Sequence, residues 1–209
     1  EPKGGGGYPL QGQQRNDQFV SGTMAWNQGP AGPLPGPRFV ADRVHQLWIT
    51  PHGALKAAQR NKASASSRGD GTTALTFKDP GRFDASVIVG ADSLVQRVES
   101  RAPDAVLGEV DVVTRYSQYR DVGGVKFPGR IEQSMDGHPV LDVQVGEVEP
   151  NAAVDIVAPE PLRNFAERAA TEKIADGVWF VGGGSHNSVA IEMSDHLVLV
   201  ESPLGDLRA

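Results

Sequence analysis

The sequence predicts an α+β protein: a curved antiparallel β-sheet with helices at its N-terminal side, followed by the first strands of a second, different domain. Three observations predict it. The main run of helical periodicity falls in residues 38–61. From Thr72 to Glu149, short alternating runs separated by turn residues take its place. From Ala170 the texture changes again, to dense apolar runs around a Gly-Gly-Gly loop.

Residues 1–37 hold few periodic apolar positions and much Gly, Pro, Gln and Asn. They read as a flexible leader, extended or disordered, with Met24-Ala25-Trp26-Asn27 as one anchoring patch. Pro30, Pro33, Pro35 and Pro37 are expected to forbid regular structure there. From Arg38, the residues Phe39, Val40, Val44, Leu47 and Trp48 fall on one helical stripe. Thr50-Pro51 is an N-cap followed by proline at the first helical position, so a second helix is expected from Pro51 to Asn61. Residues 62–71 are rich in Ser, Gly and Lys and break the pattern; Arg68-Gly69-Asp70 reads as a solvated turn.

Strand-like runs follow at Thr72–Lys78, Ala85–Gly90, Leu94–Arg101, Val106–Tyr119, Val125–Ser134 and Pro139–Glu149, with Asp136-Gly137 as a hairpin signal. In the last run Val140, Asp142, Gln144 and Gly146 alternate with Leu141, Val143, Val145 and Glu147, so one wet and one buried face are expected. Short turns between consecutive strands imply antiparallel pairing. Residues 38–158 are thus expected to be one α+β accessory domain. Residues 159–171 read as a linker helix, with Leu162, Phe165 and Ala169 on one side. Residues 172–209 begin another domain. Its strands Val178–Val181, Ser188–Met193 and Leu197–Glu201 enclose the loop Gly182-Gly183-Gly184-Ser185-His186-Asn187. Leu197-Val198-Leu199-Val200 is apolar at every position, and such a strand expects cover on both faces.

Composition narrows the chemistry. Of 209 residues, 39% are apolar and 6% aromatic, enough for a core but not a rich one. Net charge is −6 with both signs interspersed, and no basic stripe carries interleaved aromatics, so no nucleic-acid partner is expected. The absence of cysteine excludes disulfides, cysteine nucleophiles and thiolate metal sites. No apolar run reaches the ~18 residues of a membrane span. The chain starts at Glu1, as signal-peptide removal, a cloning boundary or proteolysis would each produce. Its Gly-rich start reads as a spacer after a processing site, and the expectation is an exported or periplasmic protein.

Candidate chemistry is sparse. His45 and His52 are seven residues apart but separated by Pro51, and read as no metal pair; His138 reads as solvated, and His196 as a structural turn residue. Ser185, His186 and Asn187 lie in the glycine-rich loop and are the candidate pocket-lining residues. Ser185 and His186 are neighbours on an extended segment and point apart, which opposes a nucleophile–base pair. Gly182-Gly183-Gly184 lacks the lysine and following helix of a phosphate loop. Glu109, Asp111, Asp142 and Glu147 alternate with apolar residues and suit a solvated face better than acid–base catalysis. No catalytic and no metal-ligating residue is assigned.

The stretch from Glu172 through Val181, the Gly-Gly-Gly-Ser-His-Asn-Ser loop and Asp195-His196-Leu197-Val198-Leu199-Val200-Glu201 resembles the start of a metallo-β-lactamase-fold domain. Tyr116 to Pro128, Val148-Glu149-Pro150-Asn151, Thr50-Pro51-His52-Gly53 and Ala25-Trp26-Asn27 resemble an N-terminal extension found in one group of that family. The resemblance implies an αββα sandwich, hydrolase activity and one or two metal ions, usually zinc, activating a water. The family's His-x-His-x-Asp-His motif is absent, so no family ligand maps onto this chain; Glu201 stands near a position where the family often has Asp. The expectation is therefore the N-terminal portion of a zinc-dependent hydrolase, inactive and zinc-free by itself. Its partner would be a missing C-terminal catalytic portion or a second copy of the chain. A different reading is a non-catalytic binding module whose curved sheet holds an apolar ligand or partner segment.

Overall fold

The computed structural model describes residues 17–30, 32–80, 83–104, 107–166, 169–182 and 187–201. Antiparallel sheets dominate it, with few helices. The chain first forms a meander of β1 (Asp17–Ser21), β2 (Met24–Gly29) and β3 (Gly32–Pro35). This corrects the expectation that the prolines exclude regular structure before Arg38. β3 is an edge strand, and an edge strand needs its N–H groups on one side only. The Gly36 N–H points back to Ala25 O (2.9 Å), so the even-numbered residues face β2 and Pro33 and Pro35 face away.

After a 3-10 turn at Pro37–Phe39 come α1 (Val40–Trp48) and α2 (Pro51–Arg60). Thr50 caps α2 as its sequence predicts: its extended backbone turns the chain, and its Oγ1 accepts the Gly53 N–H at 3.2 Å. α2 buries Pro51, Ala54, Ala57 and Ala58. These small side chains let the helix approach the sheet closely, and the bulk that fills the gap comes from Phe77 and Phe83. In α1 the buried position is His45, while Leu47 on the predicted stripe is 56% exposed.

The main sheet comprises β4 (Ser64–Ser67), β5 (Thr73–Asp79), β6 (Phe83–Val89), β7 (Val95–Asp104), β8 (Gly108–Ser117), β11 (Arg130–Met135) and β12 (His138–Gln144). The hairpin of β9 (Arg120–Val122) and β10 (Val125–Phe127) interrupts the meander between β8 and β11. The sheet order is β12-β11-β8-β7-β6-β5-β4, antiparallel throughout. Register builds the core one row at a time. Phe77, Ala85, Ser100, Val112 and Met135 are cross-strand neighbours, as are Leu75, Val87, Val98, Thr114 and Gln133. This face meets Ile49, Ala54, Ala57 and Ala58 of the helical layer. The Tyr116 hydroxyl donates to Ile49 O across that boundary. Charged pairs line the opposite face: Arg101 with Glu109 and Asp111, and Arg130 with Glu132 and Asp142. Asp136 (φ 46) and Gly137 (φ 80) both take the left-handed backbone that a two-residue hairpin turn requires.

Two features of this sheet depart from the sequence reading. β4 is a strand where a break was expected; Ser64–Ser67 is a fully exposed edge and carries no apolar alternation. β12 is exposed at every position, so the buried face expected there is absent. Leu141 and Val143 do share the core face, beside Gln133 and Ile131. They remain 44% and 37% exposed, since α2 packs chiefly over β5, β6 and β7.

The exit segment contains one short helix, α3 (Glu160–Arg163). The linker helix expected over 159–171 is thus much shorter, and Ala170 already belongs to a strand. Leu162 is buried but Phe165 is 45% exposed, so no apolar stripe extends the helix past one turn. Ala158 and Leu162 pack on Trp26, with Phe19 and Met24 alongside, which ties the exit to the N-terminal meander. The chain then forms a four-stranded antiparallel sheet, β13 (Ala170–Ala175), β14 (Val178–Gly182), β15 (Ser188–Glu192) and β16 (Leu197–Val200), in sequence order.

Candidate functional site

The predicted pocket-lining residues sit in the connection between β14 and β15. Ser185 and His186 lie outside the described residues; Asn187 is exposed where the chain re-enters β15, and Ser188 beside it is buried. Gly182 is buried at the other end. A Cβ there would stand 2.7 Å from the Phe180 ring and 3.5 Å from Asn187 Oδ1, so the strand end tolerates only glycine without displacement of that ring.

The sheet around this loop is apolar on both sides. Register puts Val178, Phe180, Val189, Ile191, Val198 and Val200 on one face. Trp179, Val181, Ala190, Leu197 and Leu199 share the other with Lys173, Ser188 and Glu192. Lys173 partly shields that second face: its Nζ lies 5.7 Å from the Trp179 ring centre and 2.8 Å from Asp176 Oδ1. β16 forms the edge, and its four side chains range from 37% to 71% exposed. A strand of this composition is stable in water only when other groups cover it.

The described histidines do not converge. His45 is buried and shares a 2.8 Å hydrogen bond with Ser100 Oγ. His52 stacks on Phe127 at 5.9 Å. His138 opens the exposed strand β12, and His196 pairs with the adjacent Asp195 at 2.7 Å on the surface. Among the described residues no three His, Asp or Glu side chains are placed to share a metal ion. An open groove of about 530 Å³ runs between Arg120, Val122 and Gly146–Glu149. Its one cation, Arg120, is already committed to the carbonyls of Val145 and Gly146.

This chain matches no protein-family model, no curated protein and no solved structure.

One node escaped the sequence reading. Arg43 of α1 donates from Nη1 to both Phe19 O and Trp26 O at 2.7 Å, and from Nη2 to Asn27 Oδ1. The Phe39 ring lies 5.2 Å below its guanidinium, and Phe19 stacks on Trp26 at 5.2 Å. One planar cation thus fastens β1 and β2 to α1. Its only sequence signal is an arginine on the half-buried side of a predicted helix, which ordinary solvated arginines share. The node is structural, and it gives the Met24–Asn27 patch its anchor.

Proposed function

We propose that residues 170–201 are the opening sheet of a metallo-β-lactamase-fold hydrolase domain, and that the chain is the N-terminal portion of such an exported enzyme. Residues 38–158 are then its accessory domain. The observation that carries this reading is the four-stranded meander whose edge strand β16 is apolar and exposed on both faces. A sandwich domain with helices outside two stacked sheets supplies that cover. The resemblance of 172–201 to the family's first strands gives the domain its type, and with it zinc as the metal and activated water as the nucleophile. The sequence contains no His-x-His-x-Asp-His motif, so none of the family's metal ligands maps onto this polypeptide, and it is expected to be zinc-free and inactive by itself.

A second reading has one observation of its own. At the margin of the main core, where Ile131 and Met135 pack, Leu141 and Val143 stay partly exposed and form an apolar shelf beside the Gln133–Thr114 hydrogen bond (2.9 Å). Such a shelf suits a flat apolar ligand or a partner segment.

Amide hydrogen exchange separates the two readings. Extending the polypeptide along its own reading frame slows exchange at residues 178–200 if the hydrolase reading holds. Adding a long-chain fatty acid slows exchange at residues 130–144 if the shelf is a binding site. Unchanged exchange at 178–200 in the extended polypeptide would count against the hydrolase reading.

A further inference from the structure

We infer that His45 is an acid-sensitive latch: a proton on its ring releases α1, and with it the β1–β3 meander, while the seven-stranded sheet stays folded. His45 is the one buried residue of α1. Its Nε2 meets Ser100 Oγ of β7 at 2.8 Å, and its ring stands edge-on to Phe83 of β6 at 4.8 Å. This pair is a buried polar joint between the middle of α1 and the sheet; a second joint, Tyr116 to Ile49 O, lies just past the end of the helix. Arg43, two residues earlier, grips the backbone of Phe19 and Trp26, so the seating of α1 is transmitted to β1 and β2.

The surroundings favour the neutral ring. The partner Ser100 is an uncharged hydroxyl, and the opposed positions on β8 are Val112 and Val110. Asp84 and Arg101 flank Phe83 and Ser100 but project from the opposite face, where they serve Lys78 and Asp111. Asp79 of β5 lies across from Phe83 and Asp104 lies on β7, both on the face that α1 covers, and both already have partners. On α1 itself Asp42 and Arg43 balance one another, with burial holding the Asp42 carboxyl above its usual range. Asp17 on β1 and Arg38 before α1 are further charged groups of this layer among the described residues; Arg38 lies over Phe39. Burial alone accounts for the lowered basicity of His45, which falls from 6.5 to about 4.

The sign follows from proton uptake. Between about pH 6.5 and about pH 4 the released state, with an ordinary histidine, binds more protons than the seated state, so acid weakens the seating. These values make the opening equilibrium of α1 about 30-fold larger at about pH 5 than at about pH 7.5.

The test uses the whole chain. Its His45 ring resonance is titrated, and amide exchange, corrected for intrinsic rates, is compared at about pH 7.5 and about pH 5. We expect His45 to titrate well below 6.5, with opening at residues 40–48 and 17–28 rising about 30-fold while β6, β7 and β8 keep their protection. His45→Gln is expected to abolish the acid step. The latch is overturned if His45 titrates near 6.5 with α1 still protected, if His45→Gln shows the same step, or if β6–β8 open together with α1. Should His45→Gln fail to fold, the titration and exchange of the unaltered chain still decide.

Discussion

Replacing Gly53 by alanine is expected to destabilise the protein by about 2–3 kcal/mol, although glycine-to-alanine changes inside exposed helices normally stabilise by roughly 1 kcal/mol. The reversal comes from the junction between α1 and α2. A Cβ on Gly53 would stand 2.0 Å from Leu47 O and 2.6 Å from Thr50 Oγ1. Those two atoms already hold the junction: the Thr50 hydroxyl donates to Leu47 O at 2.7 Å and accepts the Gly53 N–H at 3.2 Å. The added methyl must push the last turn of α1 away, which breaks the cap at a cost of about 1 kcal/mol and strains the backbone besides. Urea unfolding followed by circular dichroism checks this; a midpoint equal to or above that of the unaltered protein would contradict the geometry.

Trp26→Ala is expected to have the other large effect, a loss of about 3–5 kcal/mol in the local stability of the meander. Trp26 is 3% exposed, stacks on Phe19 and covers Ala158 and Leu162. Its cluster is separate from the main core, which is centred on Val87, Val98 and Val110. The change therefore frees two distant segments, residues 17–29 and 158–163, and leaves β5–β8 intact. Amide exchange reads this directly: faster exchange in both segments is expected, with unchanged protection in the sheet. Equal loss of protection across the sheet would show that the meander and the sheet unfold as one unit.

Much of the fold was legible because local chemistry decided it. Thr50-Pro51 starts a helix wherever it stands before a helical pattern, and Asp136-Gly137 supplies the two left-handed residues of a hairpin. What escaped depends on neighbours. Pro33 and Pro35 are excluded from central strands but fit an edge, and a single sequence does not say which strand becomes an edge. Ser64–Ser67 pairs with β5 through its backbone and one bond from the Ser64 hydroxyl to Thr76 O (3.4 Å), so it leaves no apolar alternation. His45 is buried in place of Leu47 because Ser100, 55 residues away, offers it a hydrogen bond. β12 alternates as a half-buried strand should, yet its cover depends on how far α2 extends. The candidate site was less legible than the fold. Of Ser185, His186 and Asn187 only Asn187 falls among the described residues, and it is exposed. The doubly apolar edge of β16 was the site feature that sequence read directly, since four consecutive apolar residues need no partner to be recognised.

The direct test of the hydrolase reading is zinc stoichiometry, measured by inductively coupled plasma mass spectrometry on two purified polypeptides. One is this 209-residue chain. The other continues through its reading frame past Ala209. We expect essentially no bound zinc in the first and about one or two ions per chain in the second. Stoichiometric zinc in the 209-residue chain would contradict the account, as would a reading frame that stops at Ala209 or a longer polypeptide that binds none.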